Sequence, residues 1–263
     1  MTMAQWTTKR GDRRPDRARQ VEIIPGFHRL SEGSVLYRAE GTVVLVTASV
    51  EESVPEFMRG KGRGWCTAEY QMHPRANPKR REPREGRTKS ISGRSQEIQR
   101  LVGRALRASL DLDRLGERTI AIDCDVLEAD GGTRTASITG GWVALVLALG
   151  RLQGRGQLGA GVLRDQVAAV SVGLVEGTRL LDLCYAEDST AQVDLNVVAT
   201  SSGDLVEVQG TAEGEPFARR EMDAMVDLAM EGIAWLGGVQ RQALAAAGVD
   251  VAQLMNKTDR GEG

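Results

Sequence analysis

Residues 129–141, ADGGTRTASITGG, carry the densest chemical signal in this chain. They lie between the alternating run TIAIDCDVL and the apolar run WVALVLAL, at a strand-to-helix junction. A helix N-terminus offers unpaired N–H groups and a partial positive charge, which suits phosphate. Gly131 and Gly132 let the backbone come close to a ligand. Thr133 and Ser137 offer hydroxyls, and Arg134 offers a guanidinium for charge-assisted, bidentate contact. The motif is not a P-loop, because GxxxxGK[ST] is absent. A tight turn with N-cap hydroxyls would use the same residue types, so the motif alone leaves both readings open.

A second stretch, Ser92-Gly93-Arg94-Ser95, repeats the logic at the start of the helical run EIQRLVGRALRASL. Two such sites could hold a phosphate from two sides. A third cluster is acidic: Asp182, Asp188 and Asp194 flank one strand connection in DLCYAEDSTAQVD. Carboxylates placed this way suit a hard divalent cation such as Mg²⁺, or Mn²⁺, or a general acid raised by burial. Ordinary loop acids would look the same. Nucleophiles are poorly represented. The two histidines, His28 and His73, have no triad-like context, and Cys66 lacks a basic neighbour. Phosphate holders, a candidate metal site and a basic island together suit phosphoryl chemistry by positioning and electrostatics.

The elements that must position these residues follow from periodicity. SVLYRAEGTVVLVTASV reads as two strands with Gly41 supplying turn geometry. In residues 97–110, Ile98, Leu101, Val102, Ala105, Leu106 and Leu110 form one helical face, with Arg100, Arg104 and Arg107 on another. In TIAIDCDVL, Ile120, Ile122, Cys124 and Val126 alternate with Ala121, Asp123, Asp125 and Leu127. A helix is expected over residues 141–149, and a break over 154–161. Hairpins are expected around Glu176-Gly177-Thr178 and Ser201-Ser202-Gly203-Asp204. A long helix is expected to open at Pro216. Each half is strands then helix, so the fold class is α+β, with helices on mixed or mainly antiparallel sheets.

Charge is unevenly placed. Residues 59–94 hold eleven Lys/Arg against three Glu, a local +8 in a chain of net −2, which leaves −10 elsewhere. Such an island is a candidate footprint for a polyanion, or a solvated loop. Residues 56–92 read as one long excursion, a feature that is more often functional than not. Aromatics are 4%, so an aromatic platform for bases is not obvious. Three widely spaced cysteines argue against a disulfide framework or zinc. No signal-peptide core opens the chain, and no apolar run approaches the length of a membrane span. The expectation is a soluble cytoplasmic protein with no membrane partner.

The segments EGSVLYRAEGTVVLVTASVEESVPEF, GWCTAEYQMHPR, SGRSQEIQRLVGRALRASLDL, IDCDVLEADGGTRTASITGG, EDSTAQVDLNVVAT and VEVQGTAEGEPFAR resemble the ribonuclease PH family. The resemblance runs from about residue 32 to residue 219. It implies a phosphate-dependent 3′-to-5′ exoribonuclease (a tRNA nucleotidyltransferase) that removes 3′-terminal nucleotides as nucleoside diphosphates, reversibly. By resemblance Arg94, Gly132, Thr133 and Arg134 bind phosphate, and Asp188 and Asp194 serve the metal and acid catalysis. Asp182 matches more weakly. Arg75, Arg80 and Arg84 match the region that grips tRNA 3′ ends, and subunits of the family form a homohexamer, a trimer of dimers. The tract ANPKRREPREGRTK has one residue more than relatives, and Gln20 stands where the family usually has proline. The division expected is a flexible segment 1–18, a catalytic domain 19–247 and a tail 248–263. The alternatives are a catalytically silent RNA-binding subunit of an RNA-degrading ring, a hydrolytic metal-dependent nuclease, and a non-enzymatic RNA-binding protein.

Overall fold

The computed structural model describes residues 10–77, 79, 81–86 and 90–255. The first sheet contains β1 (Val21–Pro25), β2 (Gly33–Ala39), β3 (Thr42–Glu51), β4 (Trp65–Met72) and β5 (Thr119–Glu128), in the order β1-β2-β3-β5-β4. Neighbours are antiparallel except β4 and β5, which run parallel. A parallel pair needs a crossover, and α1 (Gly93–Ala108) with α2 (Leu112–Leu115) supplies it. After β5 the chain enters α3 (Thr133–Gly154). The second sheet contains β6 (Val167–Val175), β7 (Thr178–Leu181), β8 (Val193–Thr200) and β9 (Leu205–Ala212), antiparallel in the order β7-β6-β8-β9. A single turn, α4 (Tyr185–Asp188), joins β7 to β8, and α5 (Arg219–Ala246) and α6 (Val251–Met255) close the chain. The α+β reading holds, with two strand-then-helix halves.

The core sits between the sheets. α3 packs on β2 and β3 on one side and on β6 on the other, while α5 covers β6 and β8. α3 is therefore apolar nearly all round. It is long and apolar enough by composition to cross a membrane, yet 83% of its most apolar window is buried inside the protein. β5 shows the alternation read from sequence: Ile120, Ile122, Cys124 and Val126 are buried, while Asp123 and Asp125 face outward, half-buried.

Several expectations need correction. The excursion over 56–92 contains β4, whose buried face is Cys66, Ala68 and Tyr70. Small residues and a tyrosine gave that strand too weak an apolar signal. α3 begins at Thr133, so most of the ADGGTRTASITGG motif is helix rather than loop. α5 begins at Arg219, leaving Pro216 ahead of the helix. At the β2–β3 turn the left-handed residue is Glu40, at φ 48. Gly41 is needed for room: a Cβ there would lie 2.7 Å from Asp130 Oδ2.

The ends are also tied down where they are described. Leu181 N donates to Pro15 O at 2.8 Å, Arg10 Nη2 to Leu181 O at 2.9 Å, and Arg13 Nη1 to Asp182 O at 3.0 Å. Residues 10–18 thus line the second sheet's edge rather than forming a free lead-in. Within the expected tail, Leu254 is fully buried, and its carbonyl accepts from Gly161 N at 2.9 Å and Leu163 N at 3.2 Å.

Candidate active site

The loop from β5 to α3 is shaped by two consecutive left-handed glycines, Gly131 at φ 78 and Gly132 at φ 65. Gly131 also packs against backbone. A Cβ there would meet Leu183 O at 2.5 Å and Tyr185 N at 2.9 Å. Gly132 is the N-cap of α3, and no side chain caps that helix. Its first-turn N–H groups and the positive end of its dipole are therefore available to an anion. Thr133 and Arg134 stand in that turn. The Thr133 hydroxyl hydrogen-bonds the Tyr70 hydroxyl at 2.9 Å. Arg134 Nη1 donates to Gln209 Oε1 at 2.8 Å and lies 3.6 Å from Glu97 Oε1. Gln209 Nε2 in turn donates to Glu97 at 2.8 Å. Residues from α1 and β9 thereby hold the guanidinium in place.

A buried arginine that the sequence did not single out fixes the loop from behind. Arg19 is 2% exposed and grips Asp182 through Nη2 at 2.7 Å and Nε at 3.0 Å. Its Nη1 donates to Asp130 O at 2.8 Å and to Thr42 Oγ1 at 3.2 Å. The Thr42 hydroxyl donates to Gly131 O at 2.7 Å and accepts from Asp130 N at 3.1 Å. Burial works against ionisation of Asp182, but the charge and hydrogen bonds of Arg19 outweigh it and hold the carboxyl below the usual carboxylate range. Asp182 is thus a structural partner, not a metal or acid residue. Arg19 lay in a polar run with no apolar period, so nothing in the sequence marked it.

Arg94 is the second residue of α1 and is exposed. The second helix N-terminus differs from the first, since Ser92 caps it by accepting from Ser95 N at 3.2 Å. Its contribution is the arginine rather than free N–H groups. Arg94 lines a cleft of about 350 Å³ together with Gly131 and Thr133 of the glycine loop, while Arg134 is not part of its lining.

Both arginines act electrostatically on two carboxylates from the second half of the chain. Asp188 ends α4, and Asp194 lies on β8. Burial, then repulsion by Asp188, pushes the Asp194 carboxyl up to about 6, against the pull of Arg134, Asn196 and Arg94. Burial also raises Asp188, with Arg94 and Arg134 opposing and Glu213 adding to the rise. Each arginine therefore acts on both carboxyls, and the four residues form one electrostatic unit. Among the described residues no group of three His, Cys, Asp or Glu could hold a metal ion. Two neighbouring carboxylates, Asp188 exposed and Asp194 partly buried, do fit a hard cation that keeps waters and takes further oxygens from a substrate. One such ion would relieve the repulsion by Asp188 that helps raise Asp194.

The expected RNA-gripping residues are only partly placed. Arg75 and Arg84 are exposed on the connection from β4 to α1. Among the described residues, no hydrogen bond ties either to the cradle. Arg80 lies outside the described residues.

Comparison with known proteins agrees with this architecture. Residues 17–149 match the model of the 3′ exoribonuclease family, domain 1, and residues 165–232 match domain 2 of the same family. The fold is similar to rice (Oryza sativa) Rrp46, with a TM-score of 0.72 at 15% identity over 90% of this chain and 100% of that one. It is similar to a chain of the Archaeoglobus fulgidus exosome with RNA bound to the active site, with a TM-score of 0.70 at 23% identity over 85% and 89%. It is also similar to a chain of an archaeal exosome core, with a TM-score of 0.68 at 22% identity over 87% and 89%. Two matched domains spanning the arginine half and the carboxylate half alike identify this chain as a member of the ribonuclease PH family of 3′ exoribonucleases.

Proposed function

We propose that this protein is an active phosphorolytic 3′-to-5′ exoribonuclease that trims the 3′ ends of tRNA precursors and other RNAs. The observation that carries this reading is the convergence of Arg94 and Arg134 with Asp188 and Asp194 at an uncapped helix N-terminus. Arg94, Arg134, the Thr133 hydroxyl and the first N–H groups of α3 hold inorganic phosphate. A phosphate oxygen bonds to the phosphorus of the last phosphodiester, and the bond to the 3′-oxygen breaks. Asp188, whose carboxyl burial raises above the usual carboxylate range, protonates that leaving oxygen. The products are a nucleoside 5′-diphosphate and an RNA one residue shorter. A phosphodiester is exchanged for a phosphoanhydride, so the reaction runs in both directions. Asp188 and Asp194 would hold Mg²⁺ or Mn²⁺, which when bound supplies positive charge against the charge developing on phosphorus-bound oxygens.

A second reading is favoured by the solved structures of similar fold, two of which are exosome chains. In it the chain is an RNA-binding subunit of a multi-subunit RNA-degrading ring and has no turnover of its own. Both readings place RNA at this face. They differ over whether the carboxylate pair works. The family's homohexamer suits the first reading, and a mixed ring suits the second.

The deciding experiment incubates the purified protein and Mg²⁺ with a 3′-tailed tRNA precursor, with and without inorganic phosphate. Nucleoside diphosphates released only with phosphate support the active enzyme. Monophosphates released without phosphate point to hydrolysis and refute the cradle. RNA binding with no release under either condition supports the silent subunit.

A further inference from the structure

The cleft that begins at the phosphate cradle does not end there. Beyond Arg94 and Thr133 its walls are Met72, Tyr185 and Lys79, and it encloses about 350 Å³, within the range of small-ligand sites. Tyr185 lines the cleft while 49% exposed, so its ring is open to a ligand. Among the described residues the other exposed aromatics are Phe27, Phe57 and Trp235, and none of them lines this cleft. Phe57 already packs edge-on against Trp65 at 5.2 Å. The Tyr185 ring has as its recorded neighbour the Lys79 ammonium, 5.8 Å from the ring centroid.

Position gives the ring its meaning. Tyr185 and Asp188 stand three apart on α4, so they share one side of that turn. The backbone beneath Tyr185 is locked to the phosphate loop: its N–H donates to Asp130 Oδ1 at 3.2 Å, and Gly131 packs against it. Ring, cradle and acid are thus held on one rigid unit. The molecule that would use all three has a flat apolar portion joined to a phosphate.

We infer that Tyr185 is the stacking platform for the base of the RNA's 3′-terminal nucleoside, with Met72 as the facing apolar wall. This rests on the reading of the cleft as an RNA 3′-end site, whether or not that end is turned over. Every base has a π face, so one tyrosine binds any terminal residue without reading its identity. That tolerance suits an exonuclease, which must remove whatever base comes last. An exposed cation–π contact is weaker than base–aromatic stacking, so the base displaces Lys79, whose ammonium then serves the adjoining phosphate. Although aromatics are scarce in this chain, one ring suffices for one base.

The test reads stacking directly. An oligoribonucleotide ending in 3′-terminal 2-aminopurine is titrated with wild type, Tyr185→Ala and Tyr185→Phe in EDTA without phosphate. Stacking quenches the fluorophore, and turnover is blocked. Wild type and Tyr185→Phe should quench, whereas Tyr185→Ala should lose the quenching and bind about tenfold more weakly. Equal melting temperatures for the three proteins would exclude a folding defect. Tyr185→Ala quenching and binding within twofold of wild type would overturn the platform. So would Tyr185→Phe failing as badly as Tyr185→Ala, because the hydroxyl and not the ring would then matter. Wild type that stacks the 3′ base but releases no diphosphate with Mg²⁺ and phosphate would leave the platform standing and refute the active enzyme. Diphosphate release with an unchanged KM for RNA in Tyr185→Ala would do the reverse.

Discussion

Removing the Asp182 carboxylate should expose how much of the phosphate loop depends on one buried ion pair. In Asp182→Ala, Arg19 keeps its charge at 2% exposure but loses both carboxylate contacts, at 2.7 and 3.0 Å. Its own backbone N–H also loses its acceptor, which lies at 2.8 Å. Breaking a buried pair from one side costs about 3–5 kcal/mol, a large share of the roughly 5–15 kcal/mol that stabilises a typical protein. Arg19→Met/Asp182→Leu removes both charges together and should recover much of that loss, because no ion is left unpaired. It should not recover phosphate affinity, since the donors to Asp130 O and Thr42 are gone. The assay is urea unfolding of wild type, Arg19→Met, Asp182→Leu and the double variant, read as a double-mutant cycle, with Asp182→Ala measured beside them. The Asp182 carboxyl lies below its unfolded value, so its contribution is present above that value and is lost as pH falls through the folded one. The gap between wild type and Asp182→Ala should therefore stay constant from about pH 8 to about pH 5 and narrow below about pH 4. A cost under about 1 kcal/mol, or single-variant costs that simply add in the double, would refute the reasoning.

Other consequences can be checked as directly. Gly131→Ala should destabilise by more than the roughly 1–2 kcal/mol of a left-handed residue, because its Cβ strikes the backbone at Leu183 and Tyr185. Gly26→Ala, at φ 72 with open space around it, should cost only the backbone term, and equal losses in urea unfolding would contradict the clash. Asp194 must be ionised to hold a cation, and its carboxyl is pushed up to about 6. Apparent Mg²⁺ affinity in activity assays should therefore weaken about tenfold per pH unit below that value, and flat affinity from about pH 7 to about pH 5 would contradict it. Arg134→Ala should slow phosphorolysis about 10²-fold, and near-wild-type turnover at saturating phosphate would defeat its assigned role.

What the sequence disclosed follows the strength of local signals. Strict alternation marked β5, and Glu176-Gly177 marked a hairpin whose two residues do adopt positive φ, 49 and 75. The candidate residues that converge, Arg94, Thr133, Arg134, Asp188 and Asp194, were legible because their types and spacing repeat a phosphate-and-metal logic. What stayed hidden depended on contacts far apart in the chain. Arg19 meets Asp182 across 163 positions, and Arg134 meets Gln209 across 75. β4 hid because Cys66 and Ala68 carry little hydrophobic contrast. α3 began early because the glycines that signal a loop take up only its first step, and Thr133 already starts the helix.

The seam between the two halves has a consequence for descent. Both arginines come from the first matched domain and both carboxylates from the second. Cationic and anionic duties are thus inherited on separate halves of one chain. Two substitutions in the second half, at Asp188 and Asp194, would leave the arginine cradle, the Arg19 brace and both sheets in place. They would also relieve a repulsion that burial makes unfavourable. On the proposed function, a lineage that no longer needs turnover can discard the carboxylates without sacrificing stability, keeping a folded protein with its arginine cradle intact. On that reading, silent copies are the expected product of drift on this architecture, and the carboxylates are the place to read whether a given copy has taken that path.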